Sequence, residues 1–203
     1  MVRDGYKFAL IPLPFAVLAL VLGWHVSAFI FFALTAFVCY FFRDPHRVPP
    51  FDPAVVVAPG DGRVMEVVEE SLNGRPGRRI SIFLAIWNVH VSRSPMAGRF
   101  NKVDYRPGRF YGAMRSRASQ ENEQNVIYLE TAHGEIVFKQ IAGWVARRVV
   151  CWKKPGDSVA LGERIGLIRF GSRMDVWLPE GVQILAQPGQ HVAGGLSILA
   201  RWQ

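Results

Sequence analysis

Residues 8–42 carry no Asp, Glu, Lys or Arg. They read FALIPLPFAVLALVLGWHVSAFIFFALTAFVCYFF, and no other feature limits the fold as strongly. A chain of 203 residues keeps too little material to cover that much apolar surface in water, so a buried hairpin in a soluble protein is the weaker reading. Gly23, Trp24, His25 and Ser27 punctuate the run near its middle. It therefore predicts two apolar helices of about 17 residues joined by a short turn, each at the lower limit for a span. Pro12 and Pro14 suit a first helical turn, which shortens the first helix further. A thin two-span hairpin and a re-entrant hairpin both fit. A cleavable signal peptide does not, because the run is too long and has no small-residue cleavage site before its second half. Arg3 and Lys7 precede the run, and Arg43 and Arg47 follow it. The positive-inside rule then puts both ends in the cytoplasm, with the rest of the chain on the cytoplasmic side of the cell membrane. Trp24 and Tyr40 are candidate interfacial anchors. Arg43 and Arg47 would each add about 1 kcal/mol of attraction to anionic headgroups.

The stretch RDPHRVPPFDP follows, and its proline density marks an extended linker. The expected organisation is a membrane-anchoring hairpin over 1–43, a Pro-rich linker over 44–53 and a β-rich domain over 54–203. From residue 54 onward, short apolar or alternating runs are separated by turn signals, as in AVVVAPGDGRVMEVVEE, RRISIFLAIW and ERIGLIRFGSRMDVWLP. Spacing and β-branched content predict a mainly β, antiparallel barrel or sandwich. ETAHGEIVF predicts a hairpin with His133-Gly134 at its turn. AGWVARRVVCW has a helical pattern, opposed by its β-branched residues. KKPGDSVALGERIGLI and QPGQHVAGGLSIL share one rhythm: Pro-Gly, a polar residue, Val, then Gly and an apolar strand. This resembles the barrel-sandwich hybrid of biotinyl and lipoyl carrier domains, but no carrier Lys stands between the two half-repeats. GSRMD stands there instead.

The formal net charge of +8 points to an anionic partner. Its basic residues are dispersed, with no recognition helix and no aromatic nucleic-acid signature, so nucleic acid is not expected. Neither a P-loop nor a Rossmann glycine pattern is present. Cys39 and Cys151 make no disulfide or metal pattern, and His25, His46, His90, His133 and His191 are scattered, so no metal is expected.

Chemistry could sit at three places. Asp61 lies in APGDGRV, a form that is also an ordinary turn. His90 follows an apolar strand in IWNVHVSRSPMAG, where a structural histidine is the commoner case. Gly171-Ser172 interrupts a strand pattern, where a bulge is the plain reading. The order Asp, His, Ser suggests a serine hydrolase, but FGSRM lacks the G-x-S-x-G elbow. The other possibility is that Ser172 attacks its own chain. Gly171 has no Cβ, so its carbonyl is open to the neighbouring hydroxyl and its dihedrals are permissive. Attack would turn the peptide bond into an ester. β-Elimination would then cut the chain, and hydrolysis of the dehydroalanine would leave a pyruvoyl group and ammonia.

Taken together, FFRDPHRVPP, APGDGRV, NVHVSRSPMAG, GERIGLIRFGSRMDVWLP and GQHVAGGLSILA resemble the phosphatidylserine decarboxylase family, in its short, type A form. The resemblance implies a self-cleaving proenzyme cut between Gly171 and Ser172 into a β chain (1–171) and an α chain (172–203), which stay associated. It implies that Ser172 becomes a covalent pyruvoyl group, in place of PLP or a metal, and that this group forms a Schiff base with phosphatidylserine to yield phosphatidylethanolamine. Asp61 matches the family's aspartate that supports processing. His90 matches the first histidine of an H-x-x-H segment in longer members, whose second slot is Arg93 here. Longer members also carry Gly-Ser-Thr where this chain has Gly-Ser-Arg. Arg173 is a candidate partner for a phosphate or carboxylate of the substrate, and a solvated surface arginine is the alternative. Partners would be phosphatidylserine and anionic membrane lipid, with a homo-oligomer left open. A membrane-tethered adaptor without enzymatic activity is the competing class, and it requires an intact chain.

Overall fold

The computed structural model describes the chain except residues 113, 115–116, 145–147 and 170–171, and for Ser172 it describes the backbone alone. It has two compact units, Met1–His46 and Arg47–Gln203.

The first unit is helical. Helix α1 (Arg3–Ala9) runs through a turn at Leu10 and Ile11 into α2 (Pro12–Val21), and α3 (His25–Phe41) packs against α2. Pro12 opens α2, where its missing N–H costs nothing. Gly23, at φ 74°, makes the turn, and Trp24 N–H closes it on the Ala19 carbonyl at 2.8 Å. Ala16, Ala19 and Ala28 are buried, so the helices approach on small side chains. The larger ones face outward: Val21, Val26 and Phe29 are each more than 70% exposed. An apolar surface of that kind belongs in lipid or against a partner. The expected hairpin is present, with a break in its first arm. Arg3–Val21 is long and apolar enough to cross a membrane by length and composition, whereas α3 is shorter.

The second unit is mainly β and antiparallel, as expected. Its strands are β1 (Val55–Val57), β2 (Gly62–Glu69), β3 (Gly77–Leu84), β4 (Val91–Arg93), β5 (Gly98–Arg106), β6 (Gln124–Thr131), β7 (Gly134–Ala142), β8 (Arg148–Cys151), β9 (Ser158–Val159), β10 (Arg164–Arg169), β11 (Ser172–Pro179), β12 (Val182–Ile184), β13 (His191–Val192) and β14 (Ile198–Trp202). A short helix, α4 (Ala118–Glu121), precedes β6. The main sheet has the order β13-β2-β3-β11-β7-β6-β5-β9, and two three-stranded sheets, β4-β10-β8 and β1-β14-β12, complete the unit. One core joins them, with Ile80, Ile82, Leu84, Phe100, Phe138, Ile165, Met174 and Leu199 all essentially inaccessible.

The repeated Pro-Gly rhythm builds an internal two-fold. Gly189 N–H donates to the Val64 carbonyl and Gly156 N–H to the Phe100 carbonyl. Arg63 Nε donates to the Gly189 carbonyl at 3.0 Å and Arg99 Nε to the Gly156 carbonyl at 3.2 Å. Gly195 N–H meets the Ala58 carbonyl, and Gly162 N–H meets the Ser94 carbonyl. Gly156, Gly162, Gly189 and Gly195 all have positive φ, which explains the matched glycines. The turn before β2 therefore corresponds to the turn before β5, and Asp61 has Ala97 as its counterpart.

Two local expectations change. The β6–β7 hairpin has Ala132 and His133 as its turn residues, and Gly134 opens β7. In AGWVARRVVCW, Ala142 ends β7 and Arg148–Cys151 forms β8, so the β-branched residues prevail over the helical pattern; residues 145–147 lie outside the described residues.

Candidate active site

The site is built at one end of the main sheet. Ser172 is the first residue of β11, and its backbone pairs with Leu84 of β3 on one side and Ala142 of β7 on the other. Gly171, and with it the expected scissile bond, lies outside the described residues. β10 ends two residues before that pair. β10 is itself fixed by β4, and Ile168 N–H donates to the His90 carbonyl at 3.1 Å. The chain entering the Gly-Ser pair is thus tied to the segment that carries His90.

His90 is 1% exposed. Its Nδ1 lies 2.9 Å from the Asn88 carbonyl. A carbonyl only accepts, so the neutral ring carries its proton on Nδ1 and keeps the lone pair on Nε2. Asn88 is held in turn by a local loop: its Oδ1 accepts from Ala85 N–H, and its own N–H donates to the Ala85 carbonyl, both at 2.9 Å.

Asp61 occupies the turn before β2. Its carboxylate receives Arg47 through Nη1 at 2.5 Å and Nη2 at 2.8 Å, together with Gly194 N–H at 2.8 Å. Arg47 Nη1 also donates to the Gly194 carbonyl. The clamp is nearly buried, with side chains 8% and 14% exposed for Arg47 and Asp61. This overturns the expected role of Arg47 at lipid headgroups: the residue belongs to the β-rich unit and locks a turn there. The turn backs directly onto β11, because a Cβ on Gly60 would lie 2.9 Å from Met174 Sδ. The carboxylate partners of Asp61 are Arg47 and Gly194, while Nδ1 of His90 is met by a carbonyl, so the two residues do not form the acid–histidine pair of a hydrolase triad. Arg93 is buried, donates from Nη1 to the Gly162 carbonyl at 3.1 Å and lies against Gly195. It clasps the two matched glycine turns.

Arg173 points to the face of the sheet opposite the core residue Met174 and is 1% exposed. The solvated alternative is therefore excluded. Its Nε donates to Asp175 at 2.6 Å, and its Nη2 donates to Glu66 at 2.9 Å and Ser81 at 2.7 Å. Nη1 has no hydrogen-bond acceptor among the described residues. Arg79 joins Glu66 and Glu70, Ser119 donates to Asp175 at 2.5 Å, and Lys139 is the cross-strand partner of Asp175. Burial pushes the Lys139 amine down, against the pull of Asp175 and Glu70. The sequence hides this network in part: Arg173 and Asp175 share one face of β11 by alternation, but Glu66 and Ser81 lie far away in the chain and reach them only through strand register.

The hydrogen bond from Arg79 holds the Glu66 carboxyl below its usual range; partial burial opposes this and Arg173 assists it. A carboxyl lowered in the fold stabilises fully above its unfolded value of about 4.3, and that contribution is lost as pH falls through the lower folded value. The thermal midpoint should therefore drop on acidification below about pH 4. Glu66→Gln should flatten that part of the profile; an unchanged slope in the variant would remove Glu66 from the account.

Two clefts of about 520 Å³ flank the sheet. One lies at the far end, beside Gly77 and Pro179, with Glu69, Glu70 and Glu180 in its wall. The other opens at the site end and is lined by Arg63, Met65, Phe83, Trp87, Met114 and His191, among others. Apolar walls beside the Arg63 guanidinium suit an amphiphile with an anionic head. Among the described residues no cluster of His, Cys, Asp and Glu could hold a metal ion. A family model described as phosphatidylserine decarboxylase matches residues 34–200, a span that includes every site residue above.

Proposed function

This chain belongs to the phosphatidylserine decarboxylase family, and on that basis we propose that it forms phosphatidylethanolamine through a pyruvoyl group generated from its own Ser172. Membership does not favour the adaptor reading. The observation that best supports self-cleavage is the position of β11. A cut between residues 171 and 172 leaves β1–β10 in one piece and β11–β14 in the other. β11 lies between β3 and β7, β13 lies on β2, and β14 lies between β1 and β12. The two pieces therefore stay interlocked by backbone ladders, and the new terminus at 172 remains at the end of a central strand.

In the proposed processing step, Ser172 Oγ attacks the carbonyl carbon of Gly171 and His90 Nε2 takes the hydroxyl proton. The C–N bond breaks and the nitrogen of residue 172 leaves as the amine, giving an ester. Loss of the Cα proton of residue 172 then expels residue 171 as a carboxylate, and water releases ammonia from the resulting dehydroalanine. The pyruvoyl group so formed supplies an electrophilic carbonyl that accepts the electron pair of the breaking carboxyl bond. The remaining tasks fall to side chains. With Nδ1–H kept on the Asn88 carbonyl, His90 takes up a proton at Nε2 and delivers it from there to the substrate carbon. The Arg47–Asp61 clamp fixes the turn behind β11. Arg173 ties β11 to β2 through Glu66 and to β3 through Ser81, which makes it a positioning residue for the strand that begins at Ser172. Because the lipid substrate resides in a bilayer, the apolar first unit serves as the anchor at the cell membrane, with the β-rich unit on the cytoplasmic side.

His90→Ala tests the proton chemistry. The expected result is an uncut chain, with cleavage slowed by about 10²–10⁴-fold, the range for losing a general base. Denaturing mass spectrometry over a time course measures it. Cleavage at the parental rate would leave His90 out of processing, and carboxyl-labelled phosphatidylserine would then show whether CO₂ release alone is lost.

A further inference from the structure

We propose that the site end of the β-rich unit carries its own membrane-docking rim, made of Ile86, Trp87, Met114 and Trp144, and that its occupant is the surface of an anionic bilayer. The inference rests on the reading that the substrate is a bilayer lipid.

Strand register provides the geometry. Leu84 and Ala142 are the two backbone partners of Ser172. The segments following them leave the sheet at the same end, on either side of β11 and roughly 10 Å apart, two strand spacings. Trp87 stands three residues beyond Leu84, and Trp144 stands two beyond Ala142. Both indoles project into solvent, at 64% and 75% exposure. Ile86 and Met114 are also exposed, and Met114 shares a cleft wall with Trp87. Tryptophan at loop tips suits the headgroup level, where one edge is apolar and the other wet.

Charge complementarity selects the bilayer. Arg63, Arg109 and Arg148 are exposed around this end. Arg63 lines the cleft beside Trp87, and Arg148 faces Arg169 where β8 meets β10. The cleft at the opposite end is walled, among the described residues, by Glu69, Glu70 and Glu180 against the single cation Arg78. Arg63, Arg109 and Arg148 outnumber Glu121 at the site end, whereas three carboxylates outnumber Arg78 in the far-end wall, so the unit presents apolar tips with an excess of cations on one side and an excess of carboxylates on the other, the polarity that an anionic surface orients. Separate aromatic prongs among arginines also suit a deformable lipid surface better than a second protein with a flat face.

The test uses the full chain with Cys39→Ser and Cys151→Ala, reconstituted into vesicles that contain no phosphatidylserine. An environment-sensitive fluorophore is placed at Trp87→Cys, Trp144→Cys or, as the far-end reference, Glu180→Cys. In phosphatidylglycerol vesicles, probes at 87 and 144 should shift to the blue, and nitroxide lipids should quench them at least about threefold more than the probe at 180. Phosphatidylcholine vesicles should weaken the effect. If all three positions stay equally wet, the rim does not dock. If 87 and 144 are protected without lipid quenching, and protection rises with protein density, a second copy covers the rim and the proposal fails. Since no substrate is present, insertion without decarboxylation of phosphatidylserine in a parallel assay would refute the proposed function and leave the rim standing.

Discussion

Ser172→Ala should leave a single uncut chain of about 22.8 kDa with no decarboxylase activity, the largest effect expected of any substitution in this protein. Alanine has no hydroxyl to attack the preceding carbonyl, so neither the ester nor the pyruvoyl group can form. The fold should survive, because the backbone of residue 172 keeps its pairing with Leu84 and Ala142. Under denaturing conditions the parent chain should give two fragments, the smaller about 17 Da lighter than the sum for serine-started residues 172–203, the difference left when serine becomes a pyruvoyl group. The variant should give one. Ser172→Thr or Ser172→Cys keeps a nucleophile and should cut slowly, by a less direct route to a competent carbonyl. A parent chain found intact and active would remove self-processing from the account of this protein.

The second large effect is expected at the clamp. Asp61→Ala strands the Arg47 guanidinium, whose side chain is 8% exposed, and also leaves Gly194 N–H without its acceptor. Removing one partner of a buried pair costs about 3–5 kcal/mol, and the slight exposure here favours the lower end. Urea unfolding should show that loss. Self-cleavage should slow by at least about tenfold, because the turn that backs onto β11 loses its fixing. Replacing both partners separates geometry from chemistry. Arg47→Met with Asp61→Leu leaves no orphaned charge and should recover most of the stability. If the clamp acts by position, cleavage recovers with it. A stable double variant that stays uncut would show that the Asp61 carboxylate takes part in the reaction itself.

The contrast between Asp61 and its counterpart Ala97 shows why the clamp was only half visible. The DG turn is legible in the sequence, and so is the doubled Pro-Gly rhythm, since each needs glycine at a positive φ or at a close approach. That one copy of the repeat carries a charge and the other a methyl emerges only when the halves are superposed. Arg47 offered no signal of its own, because an arginine after an apolar run reads as a headgroup contact. Arg173 was legible as a charge beside the expected reactive residue, but its burial was not.

The sequence alone determined the properties that depend on local order. An uncharged apolar run cannot stay in water, so residues 8–42 had to become apolar helices. Alternation and turn residues required antiparallel strands over the second unit. The stretches around Asp61, His90 and Gly171-Ser172, together with FFRDPHRVPP and GQHVAGGLSILA, resemble one family. Tertiary structure decided what depends on residues distant in the chain. Strand register placed Ser172 between Leu84 and Ala142, brought Glu66 and Ser81 to Arg173, and folded Gly194 back onto Asp61. It also set Trp87 and Trp144 on either side of the same strand end. Contacts of this kind rest on backbone ladders and buried ion pairs between distant segments, and no local preference encodes their register.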